Sequence, residues 1–299
     1  MNTVVAVFGA TGAQGFPVVK RARERGLEVR AVARNAEAVR ARFGDEVRAA
    51  EADLADVDAI ASALDGVQAA FFHLPIARSP DEPARFLGNF LRAAHQVRLP
   101  HLVFTTSGSA GSRYRRAVLI DGNTQAAKAV LAGPVPAVVL QPTLYLENLQ
   151  VPLFVPLLHR EGILDYPPLP PQQRLSWTSH WDQAEIAVAA LQRPDLAGRS
   201  FEIASAAAVT GAELAHHLQA WTGKAVVYRP LTPALFGARV AEALANPGVA
   251  SLLAELYEAI QELGPAGMQI ETAVLERTFG VKLQTVAQRI RSWAAATPR

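Results

Sequence analysis

The first 140 residues alternate between short apolar runs and segments in which apolar positions recur every three to four residues. Val4–Phe8, Leu27–Ala33, Val47–Ala50, Val67–Phe72, His101–Thr105 and Ala137–Leu140 read as strands. Between them Ala13–Arg25, Asp56–Leu64, Asp81–Arg98 and Gly122–Leu131 read as helices, the first ending near Gly26 and the third before Pro100. Near-continuous apolar strands joined through helices predict a parallel sheet covered on both faces. Right-handed crossovers then give an α/β fold of the Rossmann type, a doubly wound parallel sheet.

The pattern changes after residue 150. Pro152, Pro156, Pro167, Pro168, Pro170 and Pro171 crowd one stretch and predict a loop-rich region over the carboxyl ends of the strands. Trp181–Leu191, Thr210–Trp221 and Pro233–Leu263 read as helical, the last broken at Asn246-Pro247-Gly248, while Ser200–Ala204 and Ala225–Tyr228 read as strands. The expected division is a dinucleotide-binding domain over 1–150 and a smaller substrate or partner lobe over 151–299, from which some elements return to the main domain.

One junction carries most of the chemistry. Gly9-Ala10-Thr11-Gly12-Ala13-Gln14-Gly15 joins the first strand to the first helix. Unpaired N–H groups and the dipole at a helix start attract a pyrophosphate. Gly9 permits the turn, Gly12 admits the phosphates and Gly15 lets helix and strand approach. The spacing is G-x-x-G-x-x-G, set between a strand and a helix as the motif requires.

Further ligand-facing positions are expected at the carboxyl ends of the strands. After the second strand the acid that ordinarily reads an NAD ribose is missing, and Ala33-Arg34-Asn35 stands there. A guanidinium pairs with a 2′-phosphate, so Arg34 favours NADP(H), with NAD(H) as the other possibility. Asp53 and Leu54 follow the third strand, and Asp53 fits either an adenine contact or a helix-capping turn. Phe72, His73, Leu74 and Pro75 end the fourth. Ser107, in Thr105-Thr106-Ser107-Gly108-Ser109, ends the fifth and offers a hydroxyl to substrate or nicotinamide. The Tyr-x-x-x-Lys pair that would lower a tyrosine pKa is absent: Tyr114 is followed four residues later by Val118, and Tyr145 by Leu149.

Composition narrows the picture. With no cysteine, disulfides and thiolate metal sites are excluded, and no histidine pair has metal-ligand spacing. The formal charge of +2 is small, and the cluster Lys20, Arg21, Arg23, Arg25 is interrupted by Glu24, as on a solvated helix face. Gly211–Leu218 resembles the first helix of a helix-turn-helix, but Ala225-Val226-Val227-Tyr228 favours strand and Pro230 blocks a recognition helix. Neither direct nucleic-acid binding nor a membrane span is expected. The start of the chain runs straight into a strand with no basic leader, and a cytoplasmic location is expected.

The glycine turn with Gln14, the stretch Val29–Asn35 and the stretch Leu140-Gln141-Pro142-Thr143-Leu144-Tyr145-Leu146-Glu147-Asn148 resemble the NmrA-like family of atypical short-chain dehydrogenase/reductases. The resemblance continues through Gly198–Phe201 and Gly223–Tyr228. It implies NADP(H) or NAD(H) binding and one of two roles: a reductase of a quinone-like or other small unsaturated substrate, or a redox sensor that regulates a partner protein. It also implies that Gly9, Thr11, Gly12, Ala13, Gln14 and Gly15 hold the pyrophosphate and Arg34 the 2′-phosphate. Asp53 and Leu54 would flank the adenine, and residues 72–75 and 142–145 would line cofactor and pocket. Ser107, Tyr145 and Tyr114 are the candidates for substrate contact. A lysine typical of reductase members is replaced by Thr124, and a later glutamate by Lys128, which leaves catalysis open.

Overall fold

The structure is a computed structural model and describes residues 3–296. Its first half runs β1 (Val4–Phe8), α1 (Gly15–Glu24), β2 (Glu28–Ala33), α2 (Ala36–Phe43), β3 (Arg48–Glu51), α3 (Val57–Leu64), β4 (Ala69–His73), α4 (Glu82–Gln96), β5 (Leu102–Thr105), α5 (Val118–Ala132) and β6 (Ala137–Pro142). Next come β7 (Leu144–Tyr145), α6 (Leu158–Glu161), β8 (Ile163–Leu164), β9 (Trp177–Thr178), α7 (His180–Leu191), β10 (Ser200–Ile203), α8 (Gly211–Thr222) and β11 (Val227–Tyr228). Four helices close the described chain: α9 (Pro233–Ala243), α10 (Gly248–Gln261), α11 (Thr272–Phe279) and α12 (Val286–Ala296).

Seven parallel strands form the sheet, in the order β10-β6-β5-β4-β1-β2-β3. This is the doubly wound Rossmann-type sheet expected from the alternation of runs. Strand order reverses beside β1, which places a crevice at the carboxyl ends of β1 and β4. Two apolar layers sandwich the sheet. One joins Val5, Val7, Phe71 and Val103 to α1 and α7; the other joins Phe8, Phe72 and Phe104 to α3 and α4. A third core, around Tyr166, Trp177, Phe236 and Tyr257, lies in the second half of the chain.

The elements of the second half divide between these cores. β10 pairs in parallel with β6 at the edge of the large sheet. Apolar residues of α7 and α11 pack into the same layer as α1. β8 pairs with β11, and β7 with β9.

α7 is buried along almost its whole length, polar residues included. Fully buried Asp182 pairs with Arg289 of α12, at 2.5 Å to the guanidinium, and accepts from Ser205 Oγ at 2.6 Å and the Gln284 N–H at 3.1 Å. At the other end of the exposure scale no helix is long and apolar enough to cross a membrane among the described residues.

Four helices have no counterpart in the apolar pattern: α2, α6, α11 and α12. α2 depends on its cap, Asn35, whose side chain accepts from the Glu37 and Ala38 N–H groups. α5 begins at Val118, four residues before the expected Gly122. In its first turn Val118 and Leu119 are exposed and Ile120 is fully buried.

Candidate functional site

The glycine turn is built as a cradle. Gly9 has φ +69°, a left-handed conformation that a side chain would strain. A Cβ on Gly15 would stand 2.2 Å from the Gly9 carbonyl oxygen, so α1 rests directly on the turn. α1 has no side-chain cap and no acidic residue in its first turn. Its N-terminus is thus open to an anion, and these residues fit a dinucleotide pyrophosphate.

Arg34 lies exposed just beyond β2 and makes no ion pair among the described residues. Asn35 is occupied as the α2 cap. Asp53 Oδ1 accepts the Ala55 N–H at 2.8 Å in a turn ahead of α3, whose cap is Asp56, and the Leu54 carbonyl accepts from Asn89 at 2.9 Å.

Beside the cradle the chain assembles a polar cluster. Gln14, at the start of α1, donates from Nε2 to Ser107 Oγ at 3.0 Å. Tyr145 Oη is 2.7 Å from Gln183 Oε1 and 2.9 Å from Gln14 Oε1. Gln183 Nε2 donates to Gln14 Oε1 at 3.1 Å, and Thr105 Oγ1 to Gln183 Oε1 at 3.4 Å. Gln183 and Thr105 are fully buried, whereas Gln14 and Ser107 are half-buried, so the cluster runs from the interior to the crevice. Ser107 sits at φ +61°, a conformation that costs a non-glycine residue about 1 kcal/mol. Its N–H donates to Thr105 Oγ1 at 3.3 Å, and Thr106 Oγ1 donates to the Gly108 carbonyl at 2.6 Å, which fix the turn.

Behind Tyr145 lies a titrating pair. The Tyr145 and His180 rings are 4.3 Å apart. Glu147 accepts the His180 N–H at 3.0 and 3.1 Å, and its carboxylate is 3.6 Å from His180 Nδ1. Burial pushes the Glu147 carboxyl up to about 7, against the pull of that N–H. Burial pushes His180 down to about 4. It also raises Tyr145 above the ordinary phenol range and lowers His73. Tyr145 therefore stays protonated and acts as a hydrogen-bond donor.

The remaining expected positions have other places. Phe72 is fully buried and stacked on Phe90 at 3.9 Å, so it supports the crevice from below. His73 packs under the turn: its Nε2 is 2.6 Å from where a Gly9 Cβ would lie, and its Nδ1 meets the Leu74 carbonyl at 3.1 Å. Leu74 is half-buried and Pro75 exposed. Thr143 is bound to Thr178 Oγ1 through its N–H and its hydroxyl, between Pro142 and Leu144.

Tyr114 is not part of the Gln14 cluster: its hydroxyl faces Met268 at 3.4 Å and Glu202 at 3.5 Å. Thr124 accepts the Gly111 N–H at 2.8 Å and donates to the Ile120 carbonyl at 2.7 Å, so it anchors the loop after Ser107. Lys128 is exposed on α5. Gln183, Thr105, Glu147 and His180 join the site without having been singled out as its candidates. Among the described residues no group of histidine and carboxylate side chains could hold a metal.

The sequence pattern of the NmrA-like family matches residues 1–294. The chain belongs to the NmrA-like family. An NAD(P)H azoreductase of Xenophilus azovorans is 26% identical to this NmrA-like chain over 298 residues, 98% of the chain and 99% of the relative. The NADPH-dependent quinone oxidoreductase of Escherichia coli, complexed with NADPH, has a TM-score of 0.79 at 22% identity, covering 96% of this chain and 99% of that one. The triphenylmethane reductase of Citrobacter sp. has a TM-score of 0.79 at 19% identity, covering 98% and 99%. NmrA-like membership and these likenesses establish that the chain has the Rossmann-type α/β fold shared by that NAD(P)H azoreductase family and these NADPH-dependent proteins.

Proposed function

We propose that this chain is an NADPH-dependent reductase of small unsaturated acceptors, quinone-like or azo compounds. The observation that carries the reading is the cluster Gln14–Ser107–Tyr145–Gln183, which joins the dinucleotide cradle to the carboxyl ends of β5 and β6. A bound reduced nicotinamide supplies a hydride, and the chain supplies position, hydrogen bonds and exclusion of water. Ser107 presents its hydroxyl to the acceptor with Tyr145 behind it in the cluster, and neither acts as a strong acid. Transfer to a quinone or azo group tolerates this, because the charge that develops is stabilised by hydrogen bonds and proton uptake can follow from solvent.

Arg34 supports a preference for NADP(H). It is exposed where the 2′-phosphate of a dinucleotide bound at the turn would come. The measurement is loss of nicotinamide absorbance with a panel of quinones and azo dyes, using NADPH and NADH. Turnover with at least one acceptor is expected, faster with NADPH; an inert panel defeats the reading. Arg34→Ala is expected to raise the calorimetric Kd for NADP⁺ about 10–100-fold and leave that for NAD⁺ unchanged. Equal losses for both nucleotides would remove the argument from Arg34.

A second reading, a nucleotide-state sensor acting on a partner protein, is favoured by one observation. Thr124 is spent on the Ile120 carbonyl and the Gly111 N–H, and no lysine joins the described cluster. It expects no turnover with any acceptor, together with unequal affinities for NADP⁺ and NADPH.

A further inference from the structure

The polar cluster has a direction. An amide differs at its two ends: the oxygen only accepts and the nitrogen only donates. Tyr145 Oη donates to Gln183 Oε1 at 2.7 Å, Gln183 Nε2 to Gln14 Oε1 at 3.1 Å, and Gln14 Nε2 to Ser107 Oγ at 3.0 Å. Each donor is spent on the next acceptor, from a tyrosine in the interior to a serine at the crevice. The Ser107 oxygen accepts a hydrogen bond from the Gln14 amide, so its own O–H is left to donate elsewhere. Two acceptors lie inward of it: Gln14 Oε1 at 3.4 Å, which already takes the Gln183 amide and faces the Tyr145 hydroxyl, and the Tyr145 oxygen itself. The left-handed backbone at Ser107 holds this half-buried hydroxyl at the end of β5.

We propose that Gln183 is a positioning residue for the site: it sets the orientation of the Gln14 amide, and so leaves the Ser107 proton turned outward to donate to a lone pair on the acceptor, a quinone oxygen or an azo nitrogen. The proposal rests on the reductase reading. Nothing in the step breaks a bond to Ser107; the hydroxyl donates a hydrogen bond to the atom that gains negative charge as hydride arrives. With the chain reversed, both amides turn over, Ser107 donates inward to Gln14 and the Tyr145 proton is released instead. Gln183 decides between the two because it is fully buried and its neighbours, Thr105 and Tyr145, are held by strand and sheet.

The test is Gln183→Glu, an isosteric change whose consequence depends on pH. While protonated, the new carboxyl keeps one donor and one acceptor, enough for the bonds that the amide makes to Gln14 and from Tyr145. Once ionised it only accepts, so Gln14 must turn its nitrogen inward and Ser107 must donate to the Gln14 oxygen. The expected result is a kcat within about threefold of wild type on the acid side, falling tenfold or more as the carboxyl ionises, with little change in KM. The titrating neighbours are Tyr145, His180 behind its ring, Glu147 beyond it, and His73 under the turn. All four are present in wild type too, so the comparison isolates the new carboxyl.

Ser107→Ala approaches the chain from its half-exposed end and gives a second reading if the buried variant does not fold. It is expected to lower kcat tenfold or more with cofactor affinity retained, and the double variant to be no slower than Ser107→Ala alone. A Gln183→Glu profile parallel to wild type, or a Ser107→Ala enzyme with full kcat, overturns the proposal while the reductase reading stands. A wild-type chain that reduces none of the acceptors overturns both.

Discussion

At the scale of single residues, Glu147 and His180 titrate in opposite senses within one contact. The Glu147 carboxyl is held up at about 7, against its usual 4.5, so folding favours its protonated form. Its contribution to stability is full below pH 4.5 and is lost as pH rises through about 7, a change of about 3 kcal/mol. His180 is held down at about 4, so its contribution is full above its usual 6.5 and is lost as pH falls through about 4. Between pH 4.5 and 6.5 the two trends oppose and largely cancel. Glu147→Gln removes one of them. Urea unfolding of that variant against wild type is expected to show a stability difference that moves in the variant's favour as pH rises from 4.5 to 7. Parallel stability curves for the two proteins would refute the pairing.

The same scale shows what the sequence makes legible. Gly9, Gly15 and Gln14 are readable because one local motif dictates their roles, and Ser107 because it follows an apolar run. Gln183 is not readable. It stands 169 residues from Gln14 in a stretch whose periodicity announces only a buried helix. A polar residue there has no meaning until the fold supplies its neighbours.

At the scale of elements, α7 does three things at once. Gln183 reaches the site, Glu185 pairs with Arg21 of α1 and with Arg25 just beyond it, and Asp182 pairs with Arg289 of α12. Asp182 and Arg289 hold each other by two hydrogen bonds, at 2.5 and 3.0 Å. Asp182→Ala leaves the guanidinium without its counter-charge in a poorly hydrated place and is expected to cost about 3–5 kcal/mol, read from the urea midpoint. A loss under 1 kcal/mol would show that α12 is held by its apolar contacts alone. Sheet strands were legible to within about two residues because their apolar runs are bounded by charges and glycines. α11 and α12 were not. Both are amphipathic, but they are short, and their faces pack against elements far away in sequence, α7 and α8 among them.

At the scale of the whole molecule, the third core gathers residues from both sides of position 150, Tyr114, Ile120 and Leu144 among them. The proline-rich stretch leads into the core around Tyr166 and Trp177, away from the sheet. The sheet nevertheless takes its edge strand, Ser200–Ile203, and one covering helix, α7, from beyond that point. Alternation of runs identifies a doubly wound sheet, but nothing local in a four-residue strand tells which edge it joins.

The Asp182–Arg289 pair also has a bearing on how the protein is made. Its two halves are 107 residues apart, so at ordinary rates of synthesis a ribosome needs about 5–20 s to deliver the arginine after the aspartate. During that interval the nascent chain can shape the sheet up to β6 but must keep a carboxylate meant for the interior in water. Until then α7 lacks the counter-charge that its buried carboxylate has in the folded protein, and with it part of what holds Gln183 beside Gln14. A cradle made of neighbouring residues just after β1 has no such dependence, whereas the polar cluster beside it draws on α12.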